Sequence, residues 1–268
     1  RTALAGWRGI LAMLACIVPV FLGFILPALI LLKFAARHFE DILSPSYFNA
    51  MWHSFTLSLT ASLVVVVLGL ILAYSYRSQS GRKISNLLRL ASVGYAMPGT
   101  VLGIGVLIPL AYFDNSVDAF MRSSFGVSTG LLLSGTITAI IFAYAIRFLA
   151  ISFGSLESGL EKVTPNLTFA ARTLGRTPLR TVLEIHLPIL RPALVTATLL
   201  VFVDCMKELP ATLILRPFDF ETLATLVYLL ASLGQLEESA APALTIVAAG
   251  LIPIILLTRN LRIRESFR

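Results

Sequence analysis

The chain has 268 residues, 57% of them hydrophobic and only 13% charged, with a mean hydropathy of +0.88. A soluble domain carries about 25% charged residues, so this composition excludes a soluble enzyme, a disordered chain and a disulfide scaffold. The chain begins at Arg1 rather than Met, and we expect it to be a fragment or one half of a longer polypeptide.

In chain order, charge-free runs cover 9–32, 42–76, 90–113, 123–146 and 239–258. About 20 apolar residues cross a hydrocarbon core of roughly 30 Å, and an Asp, Lys or Arg at its centre costs about 2.5–3.5 kcal/mol. Each run is therefore read as a membrane span. A sixth, about 189–209, carries Asp204 and Lys207 at its end. The apolar stretch 222–236 has 15 residues, too few to cross, and fits a re-entrant or protein-buried segment. No small-residue cleavage site follows the first run, which separates it from a signal peptide. The predicted fold class is an all-α membrane protein with six transmembrane helices.

The net charge of +7 follows from topology. Arg1, Arg8, the loop with Arg77, Arg82, Lys83 and Arg89, the loop from Arg147 to Arg191, and the tail from Arg259 to Arg268 fall on one side, with 16 of the 21 Lys and Arg and 4 of the 14 acids. The positive-inside rule places that side, and both termini, in the cytoplasm. The basicity is then no sign of nucleic acid.

Span 3 carries Gly94, Pro98, Gly99, Gly103, Gly105 and Pro109. Gly99 and Gly103 offer a small-residue packing face, and Pro98 is expected to bend the helix. Bent, closely packed helices beside a pathway can rock, which makes Pro98 and Gly99 candidates for the translocation pathway.

The loop after span 4 is the most informative segment. Thr164-Pro165 reads as an N-cap with Pro at the first helical position. Leu167, Ala170, Ala171 and Leu174 form one apolar face, and Gly175 stands where a helix stops. Thr177-Pro178 repeats the start signal, with a second face of Leu179, Val182, Leu183 and His186 that Pro188 is expected to end. Two readings fit: a compact knob standing off the membrane, or interfacial helices steered to anionic lipid by Arg172, Arg176 and Arg180.

Asp204, Lys207 and Glu208, at i, i+3 and i+4, are predicted to share a helical face. An ionisable group at that depth is a functional-site hypothesis; a local Asp204–Lys207 ion pair is the simpler alternative. Asp219, Glu221, Glu237 and Glu238 make the outer side acidic, either as a docking face or as a solvated loop.

Other chemistry is not encoded. No phosphate-binding Gly-rich loop, His-Glu-x-x-His or Ser/His/Asp set occurs, spans 1 to 4 hold no acid by this division, and no cofactor or metal site is expected. His38, His53 and His186 lie apart as satisfied interfacial histidines, and Cys205 reads as a small buried apolar residue rather than half of a bridge.

The segment Phe169-Ala170-Ala171-x3-Gly175-x9-Ile185-x-Leu187-Pro188 resembles the EAA loop of ABC importer permeases, with Phe169 where that family carries Glu. The resemblance implies that Ala170, Ala171, Arg172, Gly175, Ile185, Leu187 and Pro188 form a coupling helix docking on the ATP-binding subunits. Asn49 to Leu63 is similar to the start of the permease core, Tyr95-Ala96-Met97-Pro98-Gly99-Thr100 to its third-helix signature, and Arg147-Phe148-Leu149 to the end of its fourth helix. The series from Asp204 to Thr212, with Lys207-Glu208-Leu209-Pro210, is similar to ferric-iron permeases, commonly tandems of two six-helix halves, of which this chain resembles the second.

That family implies a type I importer permease fold, with a first helix and outer loop at 1–48 and a core at 49–268 whose coupling loop covers about 155–190. It also implies a bacterial inner-membrane location, an ATPase dimer, a periplasmic or surface substrate-binding protein, a second permease half and the lipid bilayer as partners, and ferric iron as cargo. Thiamine, sulfate, polyamine or phosphonate transport, or an ATP-independent transporter, stand as alternatives.

Overall fold

The computed structural model describes residues 6–38, 40, 44–78, 86 and 91–265, with residue 78 and the last ten by backbone alone. Among the described residues every regular element is helical: α1 Trp7–Arg37, α2 Pro45–Ser78, α3 Gly99–Phe125, α4 Ile137–Leu160, α5 Pro165–Thr173, α6 Pro178–Met206, α7 Pro210–Leu215, α8 Leu223–Ser232 and α9 Ala240–Glu265. Five of these, α1 to α4 and α6, are long and apolar enough to cross a membrane. The crossing expected at 239–258 falls on α9, a 26-residue helix whose apolar part among the described side chains is Ala240–Ile255. Within 222–236 lies α8, a 10-residue helix opened by a Thr222–Thr225 capping box, too short to cross.

Helices α2, α4 and α6 pack together as the centre of the bundle. Lipid gives no hydrophobic drive between helices, so close approach through small residues must hold them. A Cβ on Gly69 of α2 would stand 2.2 Å from Ser152 Oγ of α4, and one on Gly159 of α4 would stand 2.5 Å from the Ala193 Cβ of α6. Tyr144, Ile140, Leu156 and Leu190 are fully buried there. Helix α1 stands apart, meeting α9 through Phe34 and Ala35 against Ala240, Ala241 and Leu244. Trp7, Ile10 and Leu29 on it stay more than half exposed, a distribution suited to lipid rather than water.

Several boundaries differ from the charge-free runs. The third run gives a short helical turn at 91–96, a break at Met97–Pro98 and then α3. Pro98 therefore interrupts span 3 instead of bending it, its ψ of 136° being extended backbone. Helix α3 extends to Phe125 and holds Asp114 and Asp118, correcting the acid-free division of spans 1 to 4. The 128–134 loop neutralises the cost: Leu133 and Ser134 N–H groups and the Ser134 hydroxyl donate to Asp114, and the N–H groups of Thr129 and Gly130 donate to Asp118.

The fourth span is α4, displaced toward the C-terminus from 123–146, so Arg147 lies within a helix rather than opening a loop. Charge-free runs locate unpaired charges; a paired arginine can sit well inside a span. Pro188 likewise fails to end its helix. A π-helical turn at Val182–His186 directly precedes it, loosening the ladder where the proline can neither donate nor tolerate a tight turn, and α6 runs on to Met206.

Of the basic residues used for topology, Arg1, Arg82, Lys83, Arg89 and Arg268 lie outside the described residues, as do the side chains of Arg259, Arg262 and Arg264.

Candidate functional site

Two constellations stand out, one beyond the end of α4 and one between two broken helices. The first is the knob of α5 and the start of α6. Thr164, extended at φ −69° and ψ 150°, opens α5 with Pro165 next. The helix closes through Gly175 at φ +76°: Gly175 N–H donates to Arg172 O and Arg176 N–H to Ala171 O, both at 3.0 Å. That pair of bonds is a Schellman cap, which needs a left-handed residue. Thr177 then caps α6, its hydroxyl accepting from Arg180 N–H.

The knob is tied to the spans from beneath. The two nitrogens of the His186 ring meet Tyr74 on α2 at 2.9 Å and Thr168 on α5 at 3.1 Å. Arg77 of α2 donates to the carbonyls of Leu160 and Val163, fixing the exit from α4. Ala171 is buried, while Ala170, Arg172 and Gly175 are exposed, Ile185 and Leu187 half-buried and Pro188 exposed. Each predicted apolar face turns partly outward, with Leu174 81% exposed, Leu179 68% and Leu183 53%, while Ala171 and His186 point inward; Phe169, outside both faces, is 60% exposed. The knob thus has a buried anchor and an exposed apolar crown. The Arg176–Glu184 ion pair at 3.1 Å is half exposed on both sides and adds little.

The second constellation joins the break at Met97–Pro98 to the one that follows α6. Helix α6 ends at Met206, so Asp204 and Lys207 pair locally at 2.7 Å while Glu208 turns away from them. The predicted three-residue face is thus split. Glu208 is buried, with its Oε2 3.1 Å from Arg147 Nε and its Oε1 3.4 Å from the Ala211 N–H in the first turn of α7. The Arg147 Nε–H lies off the carboxylate line, so this is an ion pair rather than an aligned hydrogen bond.

Gly99, the first residue of α3, faces the same carboxylate: a Cβ there would stand 2.6 Å from Glu208 Oε1. The carboxylate therefore sits between a guanidinium and the positive ends of two helices. Arg147 also reaches back across the other break, its Nη1 donating to Met97 O at 2.7 Å. Below, Thr212 Oγ1 donates to Glu208 O at 2.6 Å, which leaves Tyr144 to donate to Thr212 at 2.5 Å.

The fold thus brings Gly99 and Glu208 together beside Pro98, and separates them from Asp204 and Lys207. Arg147, Tyr144 and Thr212 were missed from sequence. The available sign was a lone arginine closing one apolar run, with Glu208 beside Asp204 and Lys207 at the end of another. His53 stacks on Phe220 and contacts Glu221 O at 3.0 Å, and His38 meets Phe34 O, as satisfied interfacial histidines would. Cys16 and Cys205 are unbridged.

Residues 65–263 match the family described as binding-protein-dependent transport system inner membrane component. The PhnV permease of Salmonella paratyphi A, named for 2-aminoethylphosphonate transport, is 25% identical over 84% of this chain and 79% of its own length. The Fe(3+)-transport system permease FbpB 2 of Haemophilus influenzae is 28% identical over 80% of this chain, and the match covers 39% of that longer protein. Among solved structures, a chain of a bacterial ABC transporter importing alginate aligns over 94% of both chains with a TM-score of 0.71 at 15% identity.

Proposed function

Because the chain belongs to the inner membrane components of binding-protein-dependent transport systems, we propose that it forms one half of the translocation pathway of an ATP-driven importer. As a multi-pass membrane permease it is a transport subunit rather than a catalytic one. On this reading both termini are cytoplasmic, α5 with the start of α6 is the coupling element, and an ATPase dimer, a substrate-binding protein and a second permease half complete the machine. Closure of the ATPases pushes the knob, and the ties through His186 and Arg77 pass that push to α2, α4 and α6.

The observation that carries the reading is the exposed apolar crown on a capped, anchored knob: Phe169, Leu174, Leu179 and Leu183 stay more than half exposed among the described residues. Substituting Leu174→Glu in the assembled transporter tests it. The ATPase should be lost from the purified complex while the permease still inserts. Retention of the ATPase at the unmodified level would reject the coupling assignment.

Ferric iron is the cargo we propose, supported by the Lys207-Glu208-Leu209-Pro210 series and by the similarity to an Fe(3+)-transport permease. 2-Aminoethylphosphonate is the second reading, favoured by the match over most of the length of PhnV. Pro98, Gly99, Asp204, Lys207 and Glu208 are proposed to border the pathway, with the Gly99–Glu208 contact at its inner wall.

A further inference from the structure

We propose that Arg147 is a positioning residue for transport: it holds the two helix breaks in register, so that the segments beyond them move together when the knob is pushed. This rests on the importer reading above.

Arg147 is the eleventh residue of the 24-residue α4, about 15 Å from its start and about 20 Å from its end at 1.5 Å per residue. An arginine that deep in a span is costly unless it is paired and its donors are used. Here its two polar contacts among the described residues belong to two different breaks, Glu208 after α6 and the Met97 carbonyl before α3. Arg147 thus links the Met97 carbonyl in the 97–98 break to the carboxylate seated on the first turns of α3 and α7.

The close approach at Gly99 adds an independent constraint. Since a Cβ at 99 would intrude on Glu208 Oε1 and stand 3.1 Å from the Pro210 side chain, the break geometry and the ion pair are set against each other. Helix breaks in a span also expose backbone polar groups that must be met inside the protein. Arg147 meets one of them and fixes its distance from α7. The segments Gly99–Phe125 and Pro210–Leu215, which pack on each other, are then steered by one side chain on α4, a helix tied to α2 at its far end by Arg77, just ahead of the knob.

The test uses the complete transporter in proteoliposomes, with its ATPase and with labelled ferric iron loaded on the binding protein. Uptake and ATP hydrolysis are measured together for Glu208→Gln, Arg147→Gln and the double variant, alongside thermal stability. Either single leaves a buried charge unpaired and should lower stability; the neutral double variant removes that penalty. We expect the double variant to regain stability yet keep a cargo-to-ATP ratio at least tenfold below the unmodified protein, because the Met97 link is still gone. Gly99→Ala should lower the same ratio. If the singles do not assemble, the double variant alone decides. A double variant with a normal ratio would reduce Arg147 to packing and overturn the inference. Absence of uptake by the unmodified transporter would instead reject the cargo or importer reading.

Discussion

Gly175 gives the sharpest mechanical prediction for the knob. At φ +76° it holds a conformation that costs an L-residue about 1–2 kcal/mol, and a Cβ added there meets nothing within 4 Å. Backbone conformation is then the whole penalty for Gly175→Ala, and it falls on the two cap bonds to Arg172 and Ala171 carbonyls. A cost of that size corresponds to a factor of roughly 5–30. We predict that Gly175→Ala weakens ATPase binding by up to that factor, Gly175→Asn by less, since asparagine tolerates the left-handed region, and Gly175→Leu by more than alanine if the partner lies against the junction. Titrating the ATPase against detergent-solubilised permease measures this, with the thermal unfolding of the spans as a control. Unmodified affinity in Gly175→Ala would refute the claim that this junction shapes the docking face.

Other substitutions test the rest of the account. Asp114→Asn turns one of two carboxylate oxygens that accept from two N–H groups and a hydroxyl into a donor facing donors; a loss of about 1–3 kcal/mol should appear as faster proteolysis within 128–134. Gly94→Ala would place a Cβ 2.2 Å from the Ile146 carbonyl oxygen, a backbone contact that cannot rotate away, and should cost about 1–3 kcal/mol of thermal stability. His186→Phe keeps the ring stack on Tyr74 but loses the contacts to Tyr74 and Thr168 hydroxyl groups; ATPase binding should survive while the transport rate falls. Asp204→Asn breaks a pair whose lysine is 62% exposed and worth about 0–1 kcal/mol, so transport should change by less than about fivefold, whereas Glu208→Gln should do far more.

Much of the fold was legible because lipid imposes a simple rule. Apolar length marked every long helix, and the Thr-Pro starts and Gly175 stop marked the knob to within a residue, since caps are local chemistry. The rest depended on partners that sequence spacing hides. Arg147 and Asp114 read as ends of spans because an unpaired charge would have to end them; the fold supplies Glu208 to one and the 133–134 backbone to the other. Glu208 read as a neighbour of Asp204 and Lys207 because helical spacing assumes the helix continues, and it stops at Met206. Pro98 read as a bend, but whether a proline kinks a span or breaks it depends on a donor such as Arg147 arriving from another helix to meet the freed Met97 carbonyl.

The central claim is that this chain is the permease half of an ATP-driven importer worked through the 164–188 knob. Uptake of labelled ferric iron, by cells carrying the complete transporter with and without that knob disrupted, addresses it most directly. We predict accumulation that requires ATP and the binding protein and is abolished by the disruption. Accumulation that persists with the knob disrupted, or without ATP, would contradict the mechanism.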